Sequence, residues 1–121
     1  SLFSLEERIQ MVKEAVKDVP NVSVETFDGL LVDFAKKNGA SAIIRGLRAV
    51  SDFEYEFQMA LMNRKLDDKI ETVFLMPSEE YSYLTSSIIK VVSSFDGDIS
   101  SLVPKHVHAM LKYKFKDRKG L

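Results

Sequence analysis

The chain lacks cysteine and tryptophan and has only three prolines and five glycines in 121 residues. Without cysteine it has no disulfide framework, thiolate metal site or cysteine nucleophile, and we expect a reducing compartment, the cytoplasm. The few prolines and glycines exclude collagen-like and low-complexity chains. The longest apolar runs are about five residues, far below the roughly 20 that cross a bilayer, so we expect no membrane partner.

The chain also lacks an excess of charge of either sign. Seventeen basic residues face 18 acidic ones, which gives a net charge of −1. No global field therefore selects nucleic acid, and any site for a polyanion must be local. A composition of 45% hydrophobic and 29% charged residues is typical of a packed globular chain. The length predicts a single domain over residues 1–121.

Hydrophobic periodicity alternates between helical and strand-like segments along the chain. Ser4 reads as the N-cap of a first helix, and Asn38-Gly39 as a helix stop. The pattern predicts helices near 5–16, 30–37, 53–64, 85–94 and 104–115, and strands over 22–27, 42–45 and 72–77. The last two strands are continuous apolar runs, which indicates burial on both faces. The fold class predicted is α/β with a doubly wound parallel sheet.

Ligands of such sheets lie beyond the carboxyl ends of the strands. The segment Arg45-Gly46-Leu47-Arg48 occupies that place after the strand over 42–45. Two guanidiniums beside a glycine turn suit phosphate oxygens. The alternative is that one arginine pairs with Asp52 or Glu54 while the other is solvated.

A second candidate segment leads from the strand over 72–77 into the next helix. Hydroxyls on Thr85, Ser86 and Ser87 meet the unpaired N–H groups of the helix start, which favours an anion, and Lys90 lies one turn along. Plain N-capping explains the same hydroxyls, and the sequence leaves both interpretations open.

Three further groups have ordinary structural explanations. Carboxylates at Asp52, Glu54 and Glu56 suit a helix start, although one could instead accept hydrogen bonds from a ribose. Apolar side chains on the same helix are expected in the core: Met59, Leu61 and Met62. The only histidines, at positions 106 and 108, point to different faces of the last helix, so we expect no metal site there.

Through several linked motifs the chain resembles the bacterial phosphopantetheine adenylyltransferase family of nucleotidylyltransferases. The likeness extends from about Phe3 to about Leu111 and is strongest in the run from Ile44 to Glu56, in Met62-Asn63-Arg64, in Phe74-Leu75-Met76-Pro77-Ser78, in Thr85-Ser86-Ser87 and in Gly97-Asp98. The resemblance implies a Rossmann-like fold and transfer of AMP from ATP to 4′-phosphopantetheine, giving dephospho-coenzyme A and pyrophosphate. It also implies Mg²⁺ bound with ATP, coenzyme A as a ligand and a homohexamer.

The resemblance also assigns roles to residues. Arg45 would hold the phosphate of phosphopantetheine, whose channel would be lined by Leu30, Leu31, Met62 and Asn63. ATP would be bound by Gly46, Leu47, Arg48, Glu56, Tyr81, Ser82, Tyr83, Leu84, Thr85, Ser86 and Ser87. Arg48 and Ser86, both on the polyphosphate, would be the catalytic contacts.

The chain departs from the family pattern in two places. Val91 stands where the family has a glutamate after Lys90. The Gly-Thr-Phe-Asp-Pro loop and the Thr-x-Gly-His motif, which precede the matched region in the family, do not occur in this sequence. We therefore expect an N-terminal strand–helix–strand unit of at least ~30 residues that this sequence omits. Without that unit, the strand over 22–27 would have no neighbour and could not be held by this chain alone. The alternative function is an inactive fragment that binds nucleotide or phosphate without turnover.

Overall fold

The computed structural model describes residues 1–48 and 53–119. It divides into two compact units. We call Ser1–Thr26 with Thr85–Leu121 the terminal unit, and Phe27–Leu84 the sheet unit. In the described ranges the helices are α1 (Leu5–Ala15), α2 (Leu31–Lys37), α3 (Phe53–Leu66), α4 (Ser86–Ser94) and α5 (Lys105–Lys119), and the strands are β1 (Ala42–Gly46) and β2 (Glu71–Leu75).

Within the terminal unit, α1 begins at the predicted N-cap. The Ser4 hydroxyl accepts the Glu7 N–H at 3.1 Å, and the Glu7 carboxylate accepts the Ser4 N–H at 3.0 Å. This reciprocal capping box satisfies two N–H groups that the helix itself cannot pair. Glu7 also contacts Lys114 of α5 at 2.9 Å. These contacts hold the pKa of Glu7 below its usual value, the backbone hydrogen bond at Ser4 contributing most.

In the core of the terminal unit, residues from the N-terminal part of the chain pack against residues from the C-terminal part. Phe3, Ile99 and Leu111 form a buried cluster. His106 Nε2 lies 2.9 Å from the Met11 carbonyl oxygen, so its N–H donates across from α5 to α1. This histidine therefore has a structural contact. The helix α5 extends to Lys119, four residues beyond its predicted end.

The turn after α4 explains the Gly97-Asp98 motif structurally. The Gly97 N–H donates to the Val92 carbonyl at 2.9 Å, and a Cβ on Gly97 would collide with the Val92 side chain. The Asp98 carboxylate accepts the Ser100 N–H at 2.9 Å. Hydrogen bonding of the Asp98 carboxylate to the side chain and the backbone of Ser100 lowers the pKa of Asp98. The motif closes a tight turn that only glycine fits.

In the sheet unit, β1 and β2 are parallel neighbours with Ala42 opposite Glu71 and Gly46 opposite Leu75. The helix α3 connects them, as in a strand–helix–strand crossover. Buried side chains behind this pair form the unit's core: Val32, Ala35, Ile43 and Ile70. The helix α2 ends where predicted, because Gly39 takes a φ of +67° that other residues rarely adopt. A Rossmann-like α/β fold is confirmed.

Three expectations about burial and pairing are wrong. Residues 22–28 form no strand, because a strand needs a hydrogen-bonded neighbour and the described residues supply none. Neither β1 nor β2 is buried on both faces: Ile44 is 66% and Leu75 is 55% exposed. Met76 and Pro77 follow β2 instead of belonging to it.

The apolar side chains of α3 that were expected in the hydrophobic core are exposed. Met59, Leu61 and Met62 are 39%, 49% and 54% exposed. The helix turns a different face inward. The single-domain expectation stays a prediction.

Candidate active site

The carboxyl ends of β1 and β2 lie side by side. The parallel register places Gly46 opposite Leu75, and the Leu47 N–H donates to the Leu75 carbonyl at 2.9 Å just past the strand. The segments that follow the two strands therefore leave the sheet at the same edge, where ligands bind in open α/β sheets. The segment Arg45-Gly46-Leu47-Arg48 stands at this edge, and the polar segment after Leu75 starts there.

Arg45 is held at this edge by a bidentate ion pair. Its Nε donates to Glu56 Oε2 at 2.9 Å and its Nη2 donates to Glu56 Oε1 at 2.5 Å. The Glu56 side chain is 10% exposed and the Arg45 side chain 45%. Hydrogen bonding to Glu56 raises the pKa of Arg45, against the opposing effect of partial burial. The guanidinium is therefore both charged and fixed in direction.

Glu56 reaches Arg45 because of the rotation of α3. The residues of α3 with the least exposure are Glu56, Ala60 and Asn63, spaced four and three apart. Such spacing lines one face of a helix. Glu56 stands in the first turn, where the helix dipole also favours a carboxylate. A small and polar stripe thus faces the sheet, and the large apolar side chains of α3 face outward.

For Arg45 the observed partner is Glu56 and not Glu54. The alternative partners considered for Arg48 stay untested. Asp52 lies outside the described residues, and Glu54 is exposed. The partner of Arg45 is Glu56, two residues further into the helix than Glu54. The spacing of Glu56, Ala60 and Asn63 could have identified this partner. A search for an apolar helix face overlooks that spacing, because Glu56 and Asn63 are polar.

The residues expected along the acceptor channel lie on the two helices of the sheet unit. Leu30 is the exposed N-cap residue of α2, and Leu31 packs against the core. Met62 is exposed on α3 and Asn63 is half-buried. Leu30 and Met62 are both exposed apolar side chains, and the channel that they would line stays a prediction.

The segment after β2 contains a short 3₁₀ turn, Glu79–Tyr81. The Ser82 hydroxyl donates to the Glu79 carbonyl at 3.0 Å, and the Leu84 N–H donates to the Tyr81 carbonyl at 3.1 Å. Tyr81 and Tyr83 are 45% and 53% exposed, so their rings are accessible to a ligand. The Ser82 proton is used within the turn.

Thr85, Ser86 and Ser87 belong to the terminal unit and have different local roles. The Thr85 hydroxyl caps α4 by accepting the Ile88 N–H at 3.1 Å. Ser86 and Ser87 are exposed on the first helical turn, and within the described part of the chain neither hydroxyl has a protein hydrogen-bond partner. For Thr85 the capping interpretation is confirmed. Ser86, Ser87 and the half-buried Lys90 retain groups that an anion could use.

Among residues 1–48 and 53–119, no three histidine, aspartate or glutamate side chains are grouped so that they could hold a metal ion. In the same ranges, no helix has the length and apolar character that crossing a membrane requires.

Comparison with known proteins decides the family. The profile of the cytidylyltransferase-like family matches residues 1–92. A phosphopantetheine adenylyltransferase from Caldanaerobacter subterraneus subsp. tengcongensis is 59% identical over 115 residues, which cover 95% of this chain and 72% of that protein. The chain belongs to the phosphopantetheine adenylyltransferase family.

Membership in the phosphopantetheine adenylyltransferase family agrees with the sequence motifs and with the parallel strand pair. The matched range of residues 1–92 contains Arg45, Glu56 and the Thr85 cap. An inactive fragment is not favoured as the function of a chain with this similarity. The N-terminal unit expected from the sequence stays a prediction.

Proposed function

We propose that this chain belongs to an enzyme that transfers AMP from ATP to 4′-phosphopantetheine, forming dephospho-coenzyme A and pyrophosphate. The observation that carries the proposal is Arg45, fixed by Glu56 at the carboxyl edge of a parallel strand pair. A guanidinium held in one direction is suited to orient a phosphate. The family membership supplies the substrate pair.

The reaction is an in-line displacement. An oxygen of the phosphopantetheine phosphate attacks the α-phosphorus of ATP and forms the new P–O bond. The bond from the α-phosphorus to the oxygen bridging to the β-phosphorus breaks, and its electron pair leaves with pyrophosphate. No covalent enzyme intermediate is needed, so catalysis comes from positioning and from charge neutralisation.

Arg45 orients the attacking phosphate in this scheme. Arg48, three residues on, balances the polyphosphate, and the resemblance assigns the hydroxyls of Ser86 and Ser87 to the same phosphates. Support for the serines comes from their exposure at the N-terminus of α4, where helix N–H groups favour negative charge. Arg48 and Ser86 are the catalytic contacts in this proposal.

The remaining site residues bind without reacting. Gly46 and Leu47 would contact the nucleotide, with the segment from Tyr81 to Thr85 beside it. The resemblance also assigns Glu56 to the nucleotide, although its carboxylate is bonded to Arg45. Leu30, Leu31, Met62 and Asn63 would line the pantetheine channel. Mg²⁺ enters as part of the substrate MgATP, because such ions are commonly bound through phosphates and water.

We also propose a homohexamer, with coenzyme A as a further ligand and the cytoplasm as compartment. The large exposed apolar side chains of α3, among them Phe53 and Phe57, support self-association. The absence of cysteine supports a reducing compartment.

The test is pyrophosphate release from ATP in the presence of phosphopantetheine, with pantetheine as the matched control. We expect release with phosphopantetheine and none with pantetheine, since the attacking group is the phosphate. Mass spectrometry of the product would identify dephospho-coenzyme A. Equal release with both acceptors would refute the proposal.

A further inference from the structure

We propose that Glu56 is a positioning residue for Arg45 and sets the direction in which its guanidinium meets the phosphate of the acceptor. The inference rests on the proposed function and deepens it. The resemblance places Glu56 only on the nucleotide, whereas the structure places its carboxylate on Arg45. Glu56 would thus act on the acceptor side of the reaction.

The geometry of the pair leaves Arg45 able to bind a second anion. A guanidinium has five N–H donors in a planar fork. Glu56 accepts from Nε and Nη2, which lie on one side of that fork. Three N–H groups remain, two on Nη1 and one on Nη2, and this end can meet two phosphate oxygens at once. Arg45 can therefore keep Glu56 while it binds the acceptor phosphate.

The two partners are not equally constrained. Glu56 lies on α3 with its side chain 10% exposed, whereas Arg45 reaches out of β1 with its side chain 45% exposed. A long arginine at an exposed edge samples many rotamers, and a buried carboxylate on a helix samples few. Glu56 is therefore the fixed partner and Arg45 the oriented one.

A second arginine–glutamate pair in the same unit provides a contrast. Arg64 Nη2 lies 3.6 Å from Glu71 Oε2, and both side chains are 67% exposed. An exposed pair of this kind fixes little. Glu71 is also outside the proposed site. The substitution Glu71→Gln is therefore a matched control, because it removes the negative charge of an arginine's partner in the same unit.

The test uses Glu56→Gln, Glu56→Asp and Glu56→Ala in the enzyme, with KM measured separately for each substrate. Glu56→Ala is expected to raise the KM for phosphopantetheine at least about tenfold and the KM for ATP less than about threefold. Glu56→Gln keeps one acceptor oxygen and should raise the acceptor KM less than Glu56→Ala does. Glu71→Gln should move neither constant.

A double-mutant cycle distinguishes positioning from direct contact. In an Arg45→Ala background, Glu56→Gln should change kcat/KM for phosphopantetheine much less than it does in the unmodified enzyme, because its effect through Arg45 is gone. The inference would be overturned if the effects of the two substitutions on kcat/KM for phosphopantetheine multiply in the double variant. It would also be overturned if the Glu56 variants raise only the KM for ATP. Circular dichroism checks folding, and should Glu56→Ala fail to fold, the Gln and Asp variants decide the question by the same criteria.

The two proposals fail differently. No pyrophosphate release by the unmodified enzyme would refute the proposed function. Normal turnover of the unmodified enzyme, with an unchanged acceptor KM in all Glu56 variants, would refute only the positioning role.

Discussion

Replacing Thr85 with alanine should destabilise the protein, whereas replacing the adjacent Ser86 should not. The Thr85 hydroxyl accepts the Ile88 N–H at 3.1 Å and is the N-cap of α4. Loss of such a cap costs about 1 kcal/mol, with a range of roughly 0.5–2 kcal/mol. Ser86 makes no such bond among the described residues, and alanine is a good helix former, so Ser86→Ala should stay within about 0.5 kcal/mol.

The assay is urea unfolding followed by circular dichroism, at a fixed protein concentration because self-association shifts apparent stability. Thr85→Ala should lower the free energy of unfolding by about 1 kcal/mol and the melting temperature by roughly 4 °C. Thr85→Ser restores the cap and should recover most of the loss. Turnover should rank in the opposite order, with Ser86→Ala about tenfold slower, since it removes a hydrogen bond to a charged phosphate.

Two results would refute this division of roles. Equal destabilisation by Thr85→Ala and Ser86→Ala would mean that the hydroxyl of Thr85 is not the specific cap of α4. Failure of Thr85→Ser to restore stability would mean that the methyl group, and not the hydroxyl, is responsible.

Three further outcomes are expected. Arg48→Ala should lower turnover at least tenfold, about 1.4 kcal/mol of barrier, in the pyrophosphate assay; unchanged turnover would remove Arg48 from the catalytic contacts. Gly97→Ala should cost about 1–3 kcal/mol in urea unfolding, because its Cβ meets the Val92 side chain; an unchanged midpoint would contradict that packing. The pKa of Glu7 is lowered in the folded protein from its usual 4.5, so its contribution to stability is present above that pH and is lost as pH falls through the folded value. Glu7→Gln should therefore flatten the acid side of the stability profile below about pH 4.5, and an unaltered slope would contradict the contact with Ser4 and Lys114.

Locally determined features could be predicted from the sequence. The Ser4 cap with Glu7 at the third helical position and the Gly39 stop after α2 depend on neighbouring residues alone, and the structure has both. The parallel neighbours β1 and β2 also follow from short apolar runs separated by a helix. The start of α1, the end of α2 and the parallel pairing of β1 with β2 can therefore be predicted without a structure.

Features that depend on distant partners could be predicted only in part. The residues over 22–27 favour a strand, and the sequence already indicates that its neighbour is missing; the structure shows that no β structure forms there among the described residues. The exposure of Met59, Leu61 and Met62 depends on how α3 rotates about its axis, and packing against the sheet decides that rotation. The same rotation brings Glu56 to Arg45, so the pair was missed for the same reason.

The most direct test of adenylyl transfer follows the oxygen atoms. Phosphopantetheine carrying ¹⁸O in the non-bridging positions of its phosphate is incubated with unlabelled ATP and the enzyme, and the products are weighed by mass spectrometry. Attack of that phosphate on the α-phosphorus predicts that all label appears in dephospho-coenzyme A and that the pyrophosphate is unlabelled. Labelled pyrophosphate, or release of AMP in its place, would contradict the account.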